Sequence, residues 1–425
     1  MSEELMILKS NNRNKIVDTL ENGSKRKICI ITHCYPPDFG AAPHQYEHMA
    51  LKFKEKGHDV HIFTSHPYYP TGKLTTADWF KFKRDTVINS IPVKRHWLIP
   101  SQKNNPILRL ISMFTMFISM FTSLSFLKEN KFDTVIVQTP PISLPLLGVI
   151  AKKRFGLKLI LNVSDLWPEA MVNLNSIKRN SFAYKLLHKL EKYYYKNADM
   201  ILTQSDESKK YIKAIGFKTS MVYRIGTDTN RFSPSDKKNL QQITSFNLVY
   251  MGVLGVAHGI LDLIKKVDFK SINTNLHIYG NGVEFYQIKK HISLNQLSNV
   301  ILHSTVPYNK VHSILTQYDA AIISQKNYVK GTLPAKLYES MSIGIPILFH
   351  GDGEGAKIVK QHYCGLTSLP NEYTLLENNI IQLSKNNIER DKMGKNGRTA
   401  CLNFYDRDKQ FQKLEAELLK LYSIH

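Results

Sequence analysis

In the stretch GTLPAKLYESMSIGIPILF (331–349), Lys336 and Glu339 stand three residues apart, just behind Pro334. Pro334 fits the first turn of a helix, where its missing N–H is not needed. Gly344 and Pro346 end that helix about ten residues on. A helix start presents unpaired N–H groups and a partial positive charge, which suits a diphosphate. Lys336 adds a full positive charge at the same end, an unfavourable arrangement unless an anion arrives. Glu339 shares its face one turn later, and a carboxylate there can accept two hydrogen bonds from the vicinal hydroxyls of a ribose. The plainer alternative is a solvated i,i+3 ion pair worth a few tenths of a kcal/mol. Both readings stand at this point.

Other residues of chemical interest follow apolar runs. Asp165, in NVSDLWPE (162–169), is a candidate group for positioning a hydroxyl or taking its proton, or else a helix cap. Gly252 and Gly255 follow one predicted strand and Gly280 and Gly282 another, as plain turns or as places where backbone must pass close to a ligand. No His, Cys and carboxylate cluster has metal-ligand spacing. Cys29, Cys34, Cys364 and Cys401 form no CxxC pair, which fits buried spectator thiols in a reducing compartment.

The positioning elements alternate. KICIITHCYPP (27–37) begins as a short apolar run that breaks at two prolines, a buried strand running into a loop. A Gly40-Ala41-Ala42 loop, a helix stopped at Gly57 and a strand at 59–64 complete a βαβ unit. Strands are predicted at 134–138, 157–163, 200–204 and 221–225, with a helix over 181–198. The polar stretch 230–245 reads as a linker. The alternation then restarts, with strands near 246–251, 275–279, 299–302, 319–323 and 345–349. The class is α/β: two Rossmann-like, doubly wound, mostly parallel domains facing a cleft, where the carboxyl ends of strands bind ligands. The domain reading is a polar tail over 1–26 without a secretory signal, a first domain over 27–232, a second over 233–405, and a helix over 406–425 that packs back on the first domain.

Charge narrows the partners. The 425 residues carry a net +22, and residues 1–232 hold 35 Lys and Arg against 19 Asp and Glu, or +16. A basic half attracts anionic surfaces. Nothing interleaves aromatic with basic residues as a nucleic-acid platform would, so no nucleic-acid partner is expected. The segment 107–127 has one charge, Arg109, and a stripe of Ser112, Thr115, Ser119 and Thr122 along one helical face. It reads as a buried core helix, a membrane-interface helix or, third, a span.

Taken together, the motifs resemble those of the retaining family-4 glycosyltransferases of GT-B fold. The Pro-x-Lys-x-Tyr-Glu helix before Gly-x-Pro is similar to that family's donor-site signature. GHDVHIFTS, LEKYYYKNADMILTQS, GTDTNRF, LVYMGVLGVAHGILDLI and LHIYGNG resemble further family segments, in order, from about 27 to 405. The nearest branch is the bacterial surface-polysaccharide enzymes that use nucleotide-activated amino sugars or deoxysugars. The resemblance implies that Glu339 binds the ribose of the donor and that Lys336, Pro334 and Ala335 hold its diphosphate. It implies that Gly252 and Gly255 let backbone approach the donor and that Gly280 and Gly282 shape the base pocket. In the first domain, Gly40, Ala41 and Ala42 match the loop that meets the diphosphate and the sugar, and Asp165 the acidic group at the acceptor.

The implied activity is transfer of a sugar, UDP-linked by preference, to a lipid-linked saccharide at the cytoplasmic face of the membrane. The enzyme would retain anomeric configuration, use no metal or cofactor, and sit peripherally on an anionic membrane surface. There are departures. Position 331 is Gly where many members carry a second glutamate, and Val253 and His258 occupy a neighbourhood that usually holds Arg and Lys. Lys330 or Lys336 would then supply the missing charge. A GT-B-fold epimerase and a non-catalytic basic binding protein are the alternatives.

Overall fold

The computed structural model describes residues 25–38, 40–68, 71–101, 106–217, 220–235 and 245–423. The tail over 1–26 therefore lies outside the described residues except for its last two, and most of the 230–245 linker lies outside them as well. Eight strands come from the first half: β1 (Lys27–Ile31), β2 (Asp59–Ser65), β3 (Lys83–Ile88), β4 (Ile91–His96), β5 (Thr134–Thr139), β6 (Lys158–Val163), β7 (Met200–Thr203) and β8 (Ser220–Val222). They form one sheet in the order β3-β4-β2-β1-β5-β6-β7-β8. Six come from the second half: β9 (Phe246–Met251), β10 (Thr274–Tyr279), β11 (Val300–His303), β12 (Ala320–Ser324), β13 (Ile347–His350) and β14 (Gly365–Ser368). Their order is β11-β10-β9-β12-β13-β14, and every pairing in this second sheet is parallel.

Both sheets are doubly wound, as the alternation predicts. The central strands β1 and β5 are buried almost throughout and carry the apolar runs ICII and VIV, as strands covered on both faces do. The expected strands are all present, with ends shifted by a few residues. Two features were not anticipated. An antiparallel hairpin, β3–β4, forms an edge of the first sheet, and its turn places Asn89 and Ser90 at φ 50° and 60°. The short strand β14 closes the second sheet beside β13.

Seven helices matter below: α1 (Ala41–Glu55), α2 (Pro106–Phe121), α3 (Leu124–Glu129), α4 (Asp206–Ala214), α5 (Ala335–Ile343), α6 (Glu354–His362) and α7 (Arg407–Ser423). Among the described residues, those up to Asn162, Tyr193–Ile201 and those from Leu414 onward form one compact unit. Val163–Lys192 and Leu202–Lys413 form the other. The end of α7 belongs to the first unit. Tyr422 meets Thr134 through their hydroxyls, Arg26 lies 4.1 Å over the Tyr422 ring, and Glu415 pairs with Lys56 at 3.3 Å. In the second unit a core of Leu248, Ile278, Ile322 and Leu348 fills the sheet face under Ile260, Leu263 and Ile380. That packing fixes β9 and β10, whose carboxyl ends carry the glycine loops.

Candidate functional site

The start of α5 is the focus of the second unit. Pro334 takes the N-cap position with extended backbone (φ −73°, ψ 128°), one residue before the first helical turn in which its sequence context placed it. No described side chain caps this helix start, and Leu337 N donates to the Pro334 carbonyl at 3.0 Å, which leaves the N–H groups of Ala335 and Lys336 as the ones a ligand would meet. Gly344 ends the helix in the left-handed conformation, as expected of a glycine stop.

Lys336, in the first turn, is the distinctive group. Its Nζ is buried, has no hydrogen-bond partner among the described residues and lies 4.1 Å over the Tyr250 ring. Tyr250 is itself held by donating to the Val253 carbonyl at 2.8 Å. Burial lowers the Lys336 pKa from 10.5 to about 8, and the Glu339 carboxylate opposes that shift. Burial first and Lys336 second likewise push His258 down to about 4, so it is neutral at physiological pH. Glu339 is half-buried on the same helix, and the Tyr308 hydroxyl reaches it at 3.5 Å. Arg231 stacks 4.2 Å over the Tyr308 ring.

The glycine loops run backbone against backbone. Gly252 N donates to Tyr279 O at 2.9 Å and Leu254 N to Asn281 O at 2.9 Å. A Cβ at Gly280 would overlap the Gly252 carbonyl oxygen, and one at Gly282 the Leu254 carbonyl oxygen. A Cβ at Gly252 would come within 2.7 Å of Lys336 Nζ. These three positions need glycine for the fold of the loops themselves. Gly255 differs: its φ is −120° and its nearest neighbour to a Cβ would be a Val253 methyl at 3.9 Å.

The loop before α5 gathers residues from 163–192 and from α4. Thr332 Oγ1 donates to Asp165 Oδ1 at 2.6 Å. Burial raises the Asp165 pKa, and the Thr332 hydrogen bond opposes it. The helix-cap reading of Asp165 does not describe its position, because Pro168 is the N-cap of the short helix Glu169–Asn173. Lys330 N donates to Asn173 Oδ1 at 3.2 Å, and its ammonium lies 5.4 Å from the Tyr211 ring. Lys336, not Lys330, is therefore the lysine beside the Gly252 loop. Gly331 has φ +80°, and a Cβ there would overlap Ser208 Oγ. No glutamate fits at 331 in this arrangement.

Sequence reasoning missed several residues of this region. Glu354 accepts from the backbone N–H groups of Asp206 (3.1 Å) and Glu207 (2.8 Å), filling the start of α4, and pairs with Arg224 at 2.6 Å. Glu207 accepts from Tyr328 Oη at 2.8 Å and Lys357 Nζ at 2.6 Å. Glu284 is buried, its Oε2 has no hydrogen-bond partner among the described residues, and burial raises its pKa. An Asp-x-Asp triplet at 406–408 was also passed over. Asp406 there accepts from Thr229 Oγ1 at 2.5 Å and from Lys409 N at 3.0 Å, which makes it the cap of α7.

In the first unit, Gly40 is the N-cap of α1 at φ 145°, with Ala41 the first helical residue and no side-chain cap. Before it, Asp38 accepts from Tyr68 N at 2.9 Å and from Tyr35 N at 3.4 Å.

Two family models together match most of the chain. The glycosyl transferase 4-like domain matches residues 40–225, and the model described as glycosyl transferases group 1 matches residues 233–400. The chain is a glycosyltransferase of GT-B architecture, related to bacterial polysaccharide-biosynthesis enzymes. It is 22% identical to WbjE of Pseudomonas aeruginosa, named as a glycosyltransferase, over 60% of this chain and 67% of that one. It is 21% identical to WcaI of Escherichia coli K12, named as a colanic acid biosynthesis glycosyl transferase, over 75% of this chain and 81% of that one. Among solved structures, Anabaena HepE in complex with UDP has a TM-score of 0.67 at 14% identity, over 92% of this chain and 99% of that one. At that identity the likeness speaks to fold.

Proposed function

We propose that this enzyme transfers a sugar from a nucleotide diphosphate donor, UDP-linked and carrying an N-acetylamino sugar or deoxysugar, to a lipid-linked saccharide. The place is the cytoplasmic face of the membrane, with the protein held peripherally on an anionic surface during surface-polysaccharide synthesis. The observation that carries the donor assignment is Lys336: a buried, unpartnered ammonium beside an uncapped helix start and a glycine whose Cβ would crowd it. A buried charge without a partner is costly, and a diphosphate would relieve it. The UDP in the HepE complex and the colanic acid pathway in the name of WcaI support the choice of donor and pathway class.

In this reading the acceptor hydroxyl oxygen bonds to the anomeric carbon as the bond from that carbon to the diphosphate oxygen breaks. The anomeric configuration is retained, without a metal. Lys336 and the N–H groups behind Pro334 and Ala335 take the charge that develops on the leaving diphosphate. Glu339 holds the ribose hydroxyls, and Gly280 and Gly282 shape the base pocket. Gly252 and Gly255 give the donor close passage to backbone, and Gly40 and Ala41 are assigned to the donor by their match to the family's small-residue loop. Asp165 takes the hydroxyl proton. Lys330, in the loop before α5, is a secondary positive charge for the donor and not the one on the diphosphate.

The test is incubation of the purified enzyme with UDP-sugars and a polyprenyl-diphosphate saccharide, reading product mass, anomeric configuration and UDP release. The expected result is acceptor-dependent UDP release with retention, unchanged by chelator. Conversion of the donor to an epimer without acceptor would make the protein an epimerase. Strong salt-sensitive duplex binding with no nucleotide-sugar affinity would make it a basic binding protein.

A further inference from the structure

Helix α2 lacks the polar outer face of an ordinary surface helix. Ser112, Thr115 and Ser119 turn toward the protein together with the buried Met116 and Met120, while Thr122, at the end of the stripe, is exposed. Thr115 Oγ1 accepts from Ile99 N at 3.0 Å, and Ser119 Oγ accepts from Trp97 N at 3.0 Å and donates to Phe82 O at 3.3 Å. Just past the helix, Ser123 Oγ meets His96 Nε2 at 2.9 Å. These bonds tie the helix lengthwise along the end of β4 and the residues that follow it. Large apolar side chains also cover the outside: Leu110, Phe114, Ile118 and Phe121 lie on one stripe and are 63%, 64%, 42% and 41% exposed.

The neighbouring segment extends that surface. Lys83 Nζ donates to Thr122 O at 3.1 Å, and Trp97 Nε1 donates to Trp79 O at 3.0 Å, which bring the 79–83 segment alongside the helix. Phe80 there is 83% exposed and Phe82 48%. The cations Lys81, Lys83 and Arg109 are exposed around these residues, and no acidic residue occurs between Ile107 and Thr122. Water is a poor neighbour for such a surface, since contiguous apolar patches of this kind mark interaction sites. An apolar stripe rimmed by positive charge is complementary to an anionic leaflet, with hydrocarbon below and phosphates around it.

We infer that the outer face of α2, with Phe80 and Phe82, is a docking surface that lies flat in the interface of an anionic bilayer. It does not span the bilayer, because crossing would take the Thr115 and Ser119 hydroxyls away from the backbone groups they satisfy. The inference deepens the membrane part of the proposed function and rests on it. It also adds the identity and orientation of the surface, which sequence alone left between buried, interfacial and spanning.

The test is co-sedimentation of the full chain with vesicles of phosphatidylglycerol and phosphatidylcholine, against phosphatidylcholine alone. The double variant Phe114→Asp/Ile118→Asp replaces two exposed side chains and is expected to bind anionic vesicles at least about tenfold more weakly at all salt concentrations. Lys81→Glu/Arg109→Glu is expected to weaken binding at low salt only. An unchanged thermal melt and unchanged UDP binding in both variants separate a failure of docking from a failure of the donor assignment. Parent-like vesicle binding by the Asp pair overturns the inference. So does resistance of the membrane-bound parent to alkaline extraction, which indicates a span. A parent dimer that the Asp pair dissolves, without any vesicle binding, overturns it in favour of a second copy of the chain.

Discussion

Lys336 should make donor binding pH-dependent in a way that counts protons. Its pKa in the unliganded fold is about 8 against 10.5 for an ordinary lysine, with burial as the main cause. That difference corresponds to about 3 kcal/mol against the charged form. The folded pKa lies below the unfolded one, so the unliganded protein is penalised at pH values below about 8, and the penalty disappears as pH rises past 10.5. A bound diphosphate reverses the preference and restores the proton. At pH 8 about half of the unliganded molecules hold that proton, so UDP binding should take up about 0.5 proton per site. Calorimetry in two buffers of different ionisation enthalpy reads this number directly. Affinity should be flat below about pH 7 and then fall roughly tenfold per pH unit above 8, until the pKa of the complex is reached. Lys336→Met should weaken UDP binding by roughly 10- to 150-fold, the worth of a charge-assisted hydrogen bond. The same substitution should raise the melting temperature of the unliganded protein at pH 7, because a buried unpaired charge is gone. No proton uptake at pH 8, together with parent-like UDP binding by Lys336→Met, would refute this account of the amine.

Asp165→Asn should lower kcat by roughly 10²- to 10⁴-fold with little change in donor affinity. In the parent, kcat should fall as pH drops through the raised Asp165 pKa, since the base must be ionised. Gly280→Ala forces a Cβ onto the Gly252 carbonyl oxygen at φ +157° and should cost about 2–3 kcal/mol in urea unfolding. Gly255→Ala, at φ −120° with only an ordinary contact to a Val253 methyl at 3.9 Å, should leave stability within about 0.5 kcal/mol while raising the KM for the sugar nucleotide. Arg224→Ala strips the partner from the buried Glu354 carboxylate, 2.6 Å away, and should cost about 3–5 kcal/mol by the same unfolding measurement.

How much of this was legible in the sequence depends on the range of the interactions. Apolar runs separated by turn residues were enough to place β1, β5, β9 and β12, because strands covered on both faces are mostly apolar along their length. The β3–β4 hairpin was missed because its residues are charged and alternate in burial at an edge. Its Asn89-Ser90 turn was the available signal. The spacing of Lys336 and Glu339 was visible, but not that the amine is buried over Tyr250, 86 positions earlier in the chain. Gly280 and Gly282 read as turn glycines; only the structure places the carbonyls of Gly252 and Leu254 where their Cβ atoms would be. The Arg224–Glu354 pair joins residues 130 positions apart, and no local pattern announces it. For 107–127 the periodicity marked two faces of a helix, and the bonds to Trp97 and Ile99 decide which one turns inward.

The central claim is that the start of α5 holds a nucleotide diphosphate, with Lys336 on the phosphates and Glu339 on the ribose. Its most direct measurement is calorimetric titration of UDP, GDP, ADP and dTDP into the parent and into Glu339→Ala. Selective UDP binding that Glu339→Ala loses is the predicted result. Absence of binding to any of the four nucleotides, or equal binding by the variant, would contradict the assignment and leave the two charges on α5 without this role.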